Sequence, residues 1–496
     1  MYAHQVGGVA QMVRRGRDAG YYALLDECGL GKTIQAIYAL RELRASGVVE
    51  RAVVLCKCDL IRNWREEFSR HAPDWRVRSL QGLPPDARCY DERADVFLLN
   101  YELFGRRAQP DADGHATATV PNPFRGGAPL ALNQDAVRLV RYLTQHKVAL
   151  VCDESQRIKT SSARSTATLC ALAPCARVRF ILTGTLCAET ILDAWSQIYF
   201  LDGGRLLGRS YRAFLAQYAI MREYSIGYGR SAEKIVGVRN ADELRGKLRA
   251  VSMRRTKAEC LDLPEKIIKT RWLIPIGGQR AMLADLRAQI LGEVERADGE
   301  LISINKPGTT LAAAIHALQR TAAMPVVVGN CAHSVKLDAV HEIADETDAK
   351  LVVWCAHRNT ASAVYRALKL PAALVHGGLP MAEREHALER FRGDARALVC
   401  TIASLREGQN LQHAAHAVYF EPDWSRLSWV QSQDRIHRIG QMQTTIIERL
   451  VCAGGLDEYI FQTLDDKAAL SGEVTGDGVV ILQRAHLLRY LKSGGE

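Results

Sequence analysis

The stretch Tyr21-Tyr22-Ala23-Leu24-Leu25-Asp26-Glu27-Cys28-Gly29-Leu30-Gly31-Lys32-Thr33 most tightly limits what this chain can fold into. Its apolar part, Tyr22–Leu25, reads as a buried strand. A glycine-rich turn follows and delivers a Lys-Thr pair to a helix expected from Lys32 to Arg44. Such a turn aims backbone N–H groups and a helix N-terminus at one spot, where a phosphate chain can bind. In that role Lys32 reaches the outer phosphates and the Thr33 hydroxyl takes one position on Mg²⁺. The strict spacing G-x-x-x-x-G-K-[ST] has glycine where this chain has Asp26, so a Gly-rich turn with an incidental Lys-Thr pair fits the same letters.

With 496 residues, 48% of them hydrophobic and 24% charged, the chain has globular composition and material for two to four domains. No apolar run reaches the ~18 residues of a membrane span, and the start Met1-Tyr2-Ala3-His4-Gln5 lacks the pattern of a secretory signal. The thirteen cysteines show no repeated C-x-x-C spacing, and Cys56-Lys57-Cys58 is too tight for half a zinc site. They are expected as buried reduced thiols of a cytoplasmic protein. A net charge of +10 favours a polyanionic partner without specifying one.

Apolar runs alternate with amphipathic helices at Tyr22–Leu25, Ala52–Leu55, Val96–Leu99, Val148–Cys152 and Arg179–Leu182, which predicts a parallel sheet covered on both faces. Residues 105–133, rich in Gly, Pro, Asp and Ala, are expected as a surface loop insertion. From Leu192 to about Lys336 the pattern reads as mostly helical, with Gly292–Thr310 a connector. Alternation resumes at Leu351–Cys355, Ala372–His376, Ala397–Thr401, Ala417–Glu421 and Thr445–Val451, a second parallel sheet. The fold class is thus α/β. The expected division is a first lobe over 1–250 (helical from about 190), a junction and helical protrusion over 251–335, a second lobe over 336–470 and a C-terminal brace over 471–496.

Two more constellations carry chemistry. Val148–Cys152 ends in Asp153-Glu154. An Asp at a strand's carboxyl end can hold Mg²⁺ through water, and the following Glu can polarise an attacking water; a simple charge pair at a helix start has the same spelling. In Gln431-Ser432-Gln433-Asp434-Arg435-Ile436-His437-Arg438, Arg435 and Arg438 are three apart and share a face if the segment is helical. Permanently charged planar guanidinium groups suit a γ-phosphate, although a solvated basic helix is the ordinary outcome of such spacing. Trp354, Trp424 and Trp429 read as core or interlobe packing rather than as base-stacking platforms, and His413, His416 and His437 lack the spacing of metal ligands.

Taken in order, these motifs resemble the Swi/Snf-type ATPases of the superfamily two helicases, whose two lobes are RecA-like. Asp26–Thr33 resembles the family's nucleotide motif, which accepts Asp at its first position. Asp153-Glu154-Ser155-Gln156 resembles its DEAH-like box with Gln156 in place of histidine, and Leu182-Thr183-Gly184-Thr185 resembles its coupling motif. That motif continues Leu186-Cys187-Ala188-Glu189 where the family usually has proline. Met253-Arg254-Arg255-Thr256-Lys257 is similar to the junction between lobes.

The resemblance implies an ATP site in which Gln5 reads adenine, Gly29, Leu30, Gly31, Lys32 and Thr33 hold phosphates, and Glu407 and Gly408 contribute from the second lobe. Thr33 and Asp153 would hold Mg²⁺ with the ATP; Lys32, Asp153, Glu154, Arg435 and Arg438 would be catalytic. Gln156, Thr183, Gly184, Thr185 and Gln431 would couple the cycle to motion. Nucleic acid would meet Lys57, Arg62, Asn100, Tyr101, Arg254 and Arg255 in the first half of the chain, and His357, Arg358, Gly377, Thr401 and Asn410 in the second. The implied activity is DNA-stimulated ATP hydrolysis driving translocation on double-stranded DNA, largely independent of sequence, by a monomer. A strand-separating DNA or RNA helicase is the alternative enzyme, and an ATPase-silent nucleic-acid-binding scaffold the alternative of another class. The compact layout without reader modules implies a bacterial or phage protein, DNA-associated in the cytoplasm.

Overall fold

The structure is a computed structural model that describes residues 1–91, 93–108, 118–184, 186, 191–227, 230–296, 301–303, 309–405, 409–465, 472–474 and 480–493. Two compact units divide the chain: Met1–Ile220 with Gly237–Asp262, and Met221–Val236 with Leu263–Glu496.

The first unit is built on seven parallel strands: β1 (Tyr21–Leu24), β2 (Arg51–Cys56), β3 (Val77–Ser79), β4 (Val96–Asn100), β5 (Val148–Asp153), β6 (Val178–Leu182) and β7 (Ser252–Met253), in the spatial order β7-β1-β6-β5-β2-β4-β3. Strand side chains alternate between faces. Val54, Leu98, Val151 and Phe180 therefore pack with Met12 of helix α1 (Ala3–Asp18), Leu40 of α2 (Lys32–Ala45) and Trp64 and Phe68 of α3 (Ile61–His71). Val53, Leu55, Phe97, Leu99, Leu150 and Ile181 are buried on the other face. Burial on both faces is why these strands read as unbroken apolar runs.

The second unit repeats the plan with six parallel strands: β8 (Lys266–Leu273), β9 (Leu351–Cys355), β10 (Ala372–Val375), β11 (Ala397–Thr401), β12 (His416–Tyr419) and β13 (Thr445–Cys452), ordered β8-β13-β12-β9-β11-β10. One face buries Val352, Trp354, Leu398, Cys400 and Tyr419 together with Trp424 and Trp429. The other buries Leu351, Val353, Val399 and Val418. All three tryptophans thus belong to the core, as expected.

Three expectations need correction. Residues 105–133 are not simply loop: Thr119–Pro121 and Pro129–Ala131 pair as an antiparallel hairpin. The region from 192 to 336 has more helix than strand, as expected, but is not helical throughout. It includes the two-stranded sheet Ala219–Gly227/Arg230–Val238 and the strands β7 and β8. β8 escaped notice because it is an edge strand whose Lys266, Ile268, Lys269 and Trp272 are solvent-facing, so it carries no apolar run. Finally, the helix Gly277–Arg296 runs through the start of the expected 292–310 connector.

Buried carboxylates in the second unit make its stability pH-dependent. Glu421 is fully buried; burial alone raises its pKa, but the neighbouring His357, through its charge, ring N–H and backbone amide, and then Lys336 outweigh it and bring the value below the ordinary 4.5. Glu448 is lowered in the same way: His416 and Arg271 overcome the burial that opposes them. A carboxylate depressed in the folded state contributes stability above its unfolded pKa and loses it as pH falls through the folded value. On account of these two groups, the melting temperature of the second unit should therefore decline below about pH 4, with Asp457, whose pKa burial raises, offsetting part of the decline. A flat melting temperature across that range in a calorimetric series would contradict it.

Candidate active site

In both sheets the candidate residues collect at the carboxyl ends of the parallel strands, where open α/β sheets bind ligands. In the first unit β1 leads into Asp26 to Gly31, β2 into Lys57, β4 into Tyr101, β5 ends at Asp153 and β6 is followed by Thr183.

The loop after β1 is shaped by two glycines in the left-handed region, Gly29 at φ 94° and Gly31 at φ 76°. A side chain is strained at such φ values, and a Cβ on Gly31 would also stand 2.4 Å from Gln5 Nε2. Gly31 caps α2 without a side-chain cap, so the helix presents its first amides towards the loop. The Gln5 amide donates to the Leu30 carbonyl at 3.3 Å, which fixes α1 against this loop. Lys32 is buried and its Nζ donates to the Asp26 carbonyl at 2.9 Å. Burial works against its charge, yet nearby Cys28, Glu154, Asp153 and Asp26 more than compensate and raise its pKa, keeping the ammonium charged. Thr33, the next residue, sits in the first turn of α2.

The Asp26 carboxylate is turned into the protein. It is fully buried, accepts Arg255 Nε at 2.9 Å on one oxygen, and accepts both Gln35 Nε2 at 3.0 Å and the second arm of Arg255 on the other. Arg255 also donates to Gln35 Oε1 at 2.9 Å and to the His4 carbonyl. Its backbone carbonyl accepts Glu27 N–H at 2.9 Å, and Glu27 in turn accepts Lys257 N–H at 2.7 Å. Arg255, expected on nucleic acid, is therefore turned inward as a strut of the phosphate loop because a buried carboxylate demands a cation. Arg254 beside it is exposed.

The second carboxylate cluster forms at the end of β5. Glu154 has φ 50°, the left-handed region, on a non-glycine residue. Such strain costs about 1–3 kcal/mol and collects at functional sites. Gln156 donates to Glu154 Oε2 at 2.6 Å and accepts the Thr183 hydroxyl at 2.8 Å. Glu154 is thus linked through Gln156 to Thr183, and Gly184 lies so near the loop that a Cβ there would be 3.0 Å from Cys28 N. Thr185 lies outside the described residues. The Asp153 carboxylate accepts Trp64 Nε1 at 2.8 Å and the Glu154 amide at 3.0 Å, while its carbonyl accepts the Tyr101 hydroxyl at 2.6 Å. Burial and the adjacent Glu154 raise the Asp153 pKa, against the Trp64 hydrogen bond and Lys32. The site thus joins a cation, two carboxylates and a hydrogen-bond chain. Gln35, Trp64 and Tyr101 in these supporting roles were not foreseen. Only Gln35 left a local signal, three residues after Lys32 and so on the same helix face.

Of the remaining first-unit residues, Lys57 is buried beside the end of β2, Arg62 is exposed and paired with Glu66 at 3.0 Å, and Asn100 donates to Cys58 Sγ at 3.0 Å.

In the second unit His357 and Arg358 follow β9, Gly377 follows β10 and Thr401 ends β11, three neighbouring strands. His357 bonds Glu421 Oε1 at 2.7 Å and His316 at 3.1 Å, Arg358 is exposed, and no atom would obstruct a Cβ on Gly377. Arg435 and Arg438 do not share a helix face. The helix Arg426–Gln433, which carries the buried Gln431, ends before them. The Arg435 carbonyl accepts Leu411 N–H at 2.9 Å and the Ile436 carbonyl accepts Gln441 Nε2 at 3.2 Å, so both are engaged outside a helical ladder. Arg435 is buried, and Arg438 donates to Asn410 Oδ1. Glu407 and Gly408 lie outside the described residues.

Residues 4–318 match the family described as the SNF2-related domain. The chain belongs to the SNF2-related family. Residues 335–440 match the helicase conserved C-terminal domain, completing the Swi/Snf-type pattern that the motifs predict. Among curated relatives of this SNF2 chain, DNA excision repair protein ERCC-6-like from Bos taurus is 25% identical over 96% of the chain and 42% of its own length. The putative ATP-dependent helicase/translocase YwqA of Bacillus subtilis is 23% identical over 92% of the chain and 47% of its own length. The chain therefore spans less than half the length of these two relatives. A solved Sulfolobus solfataricus SWI2/SNF2 ATPase core in complex with dsDNA is 22% identical, covers 93% of this chain and 90% of that one, and superposes with a TM-score of 0.42. No helix among the described residues is long and apolar enough to cross a membrane.

Proposed function

We propose that this SNF2-family chain hydrolyses ATP when stimulated by double-stranded DNA and uses the cycle to translocate along the duplex. The observation that carries this reading is the assembly in one unit of a glycine-shaped loop with its charged Lys32, the Asp153-Glu154 pair and the Glu154–Gln156–Thr183 hydrogen-bond chain.

The donor set suits Mg²⁺–ATP. A carboxylate and a hydroxyl are the hard oxygen donors Mg²⁺ prefers, supplied by Asp153 and Thr33, and the amides at the start of α2 suit an anion. When bound, the metal nucleotide supplies an electrophilic phosphorus with its charge partly neutralised. Lys32 then turns its ammonium from the Asp26 carbonyl to the outer phosphates. Gln5 reads the base, Glu154 orients and polarises water, and Gln156 reports the state of Glu154 to Thr183. Arg435 and Arg438 take the charge-neutralising role that the family resemblance gives them. Nucleic acid contacts fall to Lys57, Arg62, Asn100 and Arg254 in the first unit, and to His357, Arg358, Gly377 and Thr401 in the second.

Duplex contacts of this kind are made to phosphates and carry little sequence information. If they neutralise ~5 phosphates, log K for duplex binding should fall against log salt with a slope of about −4.5. Anisotropy titrations giving a slope near zero would contradict that mode of binding.

The function itself is tested by ATP turnover with blunt duplex DNA, single-stranded DNA and RNA, together with displacement of a triplex-forming strand. Stimulation by duplex with triplex displacement is the expected result. Release of single strands from forked duplex would instead establish a strand-separating helicase.

A further inference from the structure

Two of the segments assigned to nucleic acid in the first unit each send one buried donor to the same residue. Trp64, from the helix α3 that follows Lys57 and carries Arg62 on its outer side, donates its indole N–H to the Asp153 carboxylate at 2.8 Å. Tyr101, directly after Asn100, donates its hydroxyl to the Asp153 carbonyl at 2.6 Å. Asn100 Nδ2 donates to Cys58 Sγ at 3.0 Å, so the two segments are also joined to each other.

Trp64, Tyr101, Asn100 and Asp153 are buried, Trp64 completely, and Cys58 is half-buried. An indole has one donor and no acceptor, and its direction is fixed by the ring, here held against Phe68 with centroids 5.8 Å apart. Within two turns of α3, Arg62 and Arg65 face solvent while Trp64 and Phe68 face the core. A displacement of α3 by its outer arginines must therefore move the indole N–H relative to Asp153.

We propose that Trp64 and Tyr101 are positioning residues that transmit nucleic acid contact at the 57–65 and 100–102 segments to the orientation of the Asp153 carboxylate, and so to its hold on magnesium. This rests on the reading of Asp153 as the magnesium-facing carboxylate. The relay lies wholly within the first unit. It gives duplex DNA a physical route to the nucleotide site, whereas a simple tethering of the two ligands would leave the metal requirement unchanged by DNA.

The test uses the intact chain and its Trp64→Phe and Tyr101→Phe variants. The readout is the Mg²⁺ concentration that half-saturates binding of a fluorescent ATP analogue, with and without blunt duplex DNA, so no turnover is needed. Groups that orient a metal ligand typically affect metal affinity 10–100-fold. Trp64→Phe should raise the Mg²⁺ requirement about tenfold, and duplex DNA should shift that requirement in the parent but not in the variant. Metal-free binding of the analogue should match the parent. Equal Mg²⁺ requirements in parent and variant would overturn the proposal, as would a parent requirement that duplex DNA leaves unmoved. A parent that binds the metal nucleotide without hydrolysing it refutes the proposed function, and the Mg²⁺ comparison still decides the positioning role. Should Trp64→Phe not fold, the indole ¹⁵N–¹H resonance of Trp64 in the unaltered protein serves instead. It should shift on adding duplex DNA alone; an unmoved resonance overturns the relay.

Discussion

Replacing Glu154 with Gln is expected to lower DNA-stimulated ATP turnover by about 10²–10⁴-fold, the range that a positioned general base contributes, with nucleotide affinity largely kept. Glutamine fills the same volume and still offers a carbonyl oxygen to the Gln156 amide, which reaches Glu154 Oε2 at 2.6 Å in the parent. What disappears is the negative charge and the basicity. Because Glu154 is held in the left-handed region at φ 50°, its carboxylate has little freedom to be replaced by a neighbour. Asp153, one residue earlier, is tied by Trp64 and by the Glu154 amide. The measurement is steady-state turnover alongside equilibrium binding of the ATP analogue. A variant that keeps more than about a tenth of parental turnover would remove Glu154 from the proposed role, since a base contributing so little falls below the usual range.

The second large effect is on stability. Arg255→Ala should destabilise the first unit by roughly 3–5 kcal/mol, because it leaves the Asp26 carboxylate buried without its cation. For a unit of this size that corresponds to about 6–20 °C in melting temperature. Among the described residues, Gln35 Nε2 then remains as the side-chain donor to Asp26. Arg255→Lys should recover little, since an ammonium cannot span both carboxylate oxygens as the fork does. The paired change Asp26→Leu with Arg255→Met should cost much less than Arg255→Ala alone, since it removes both charges together. Melting curves of the three variants check this. An Arg255→Ala protein as stable as the parent would mean that Asp26 is not held as described.

Much of this was legible in the sequence because the central strands are buried on both faces. Leu351–Cys355 and Ala397–Thr401 are apolar runs flanked by polar turns, and they became strands with those same bounds. The phosphate loop was legible because its glycines, lysine and threonine are local to one another. Three kinds of feature were not. The Asp26–Arg255 pair joins residues 229 positions apart, and no local pattern marks such a partner. The exposed edge strand Lys266–Leu273 lacks apolar continuity, since its hydrogen bonds to Thr445–Cys452 define it more than burial does. The spacing of Arg435 and Arg438 fits a helix, but Leu411 and Gln441 claim the carbonyls that a helical ladder would use. The donors on Asp153 show the same limit: Trp64 was visible as a residue, while its bond to a strand end 89 positions away was not.

The most direct test of the account is ATP turnover by the intact chain with and without blunt duplex DNA, run beside Lys32→Ala. The account predicts strong stimulation in the parent and none in the variant. Equal, DNA-indifferent rates in both proteins would contradict it.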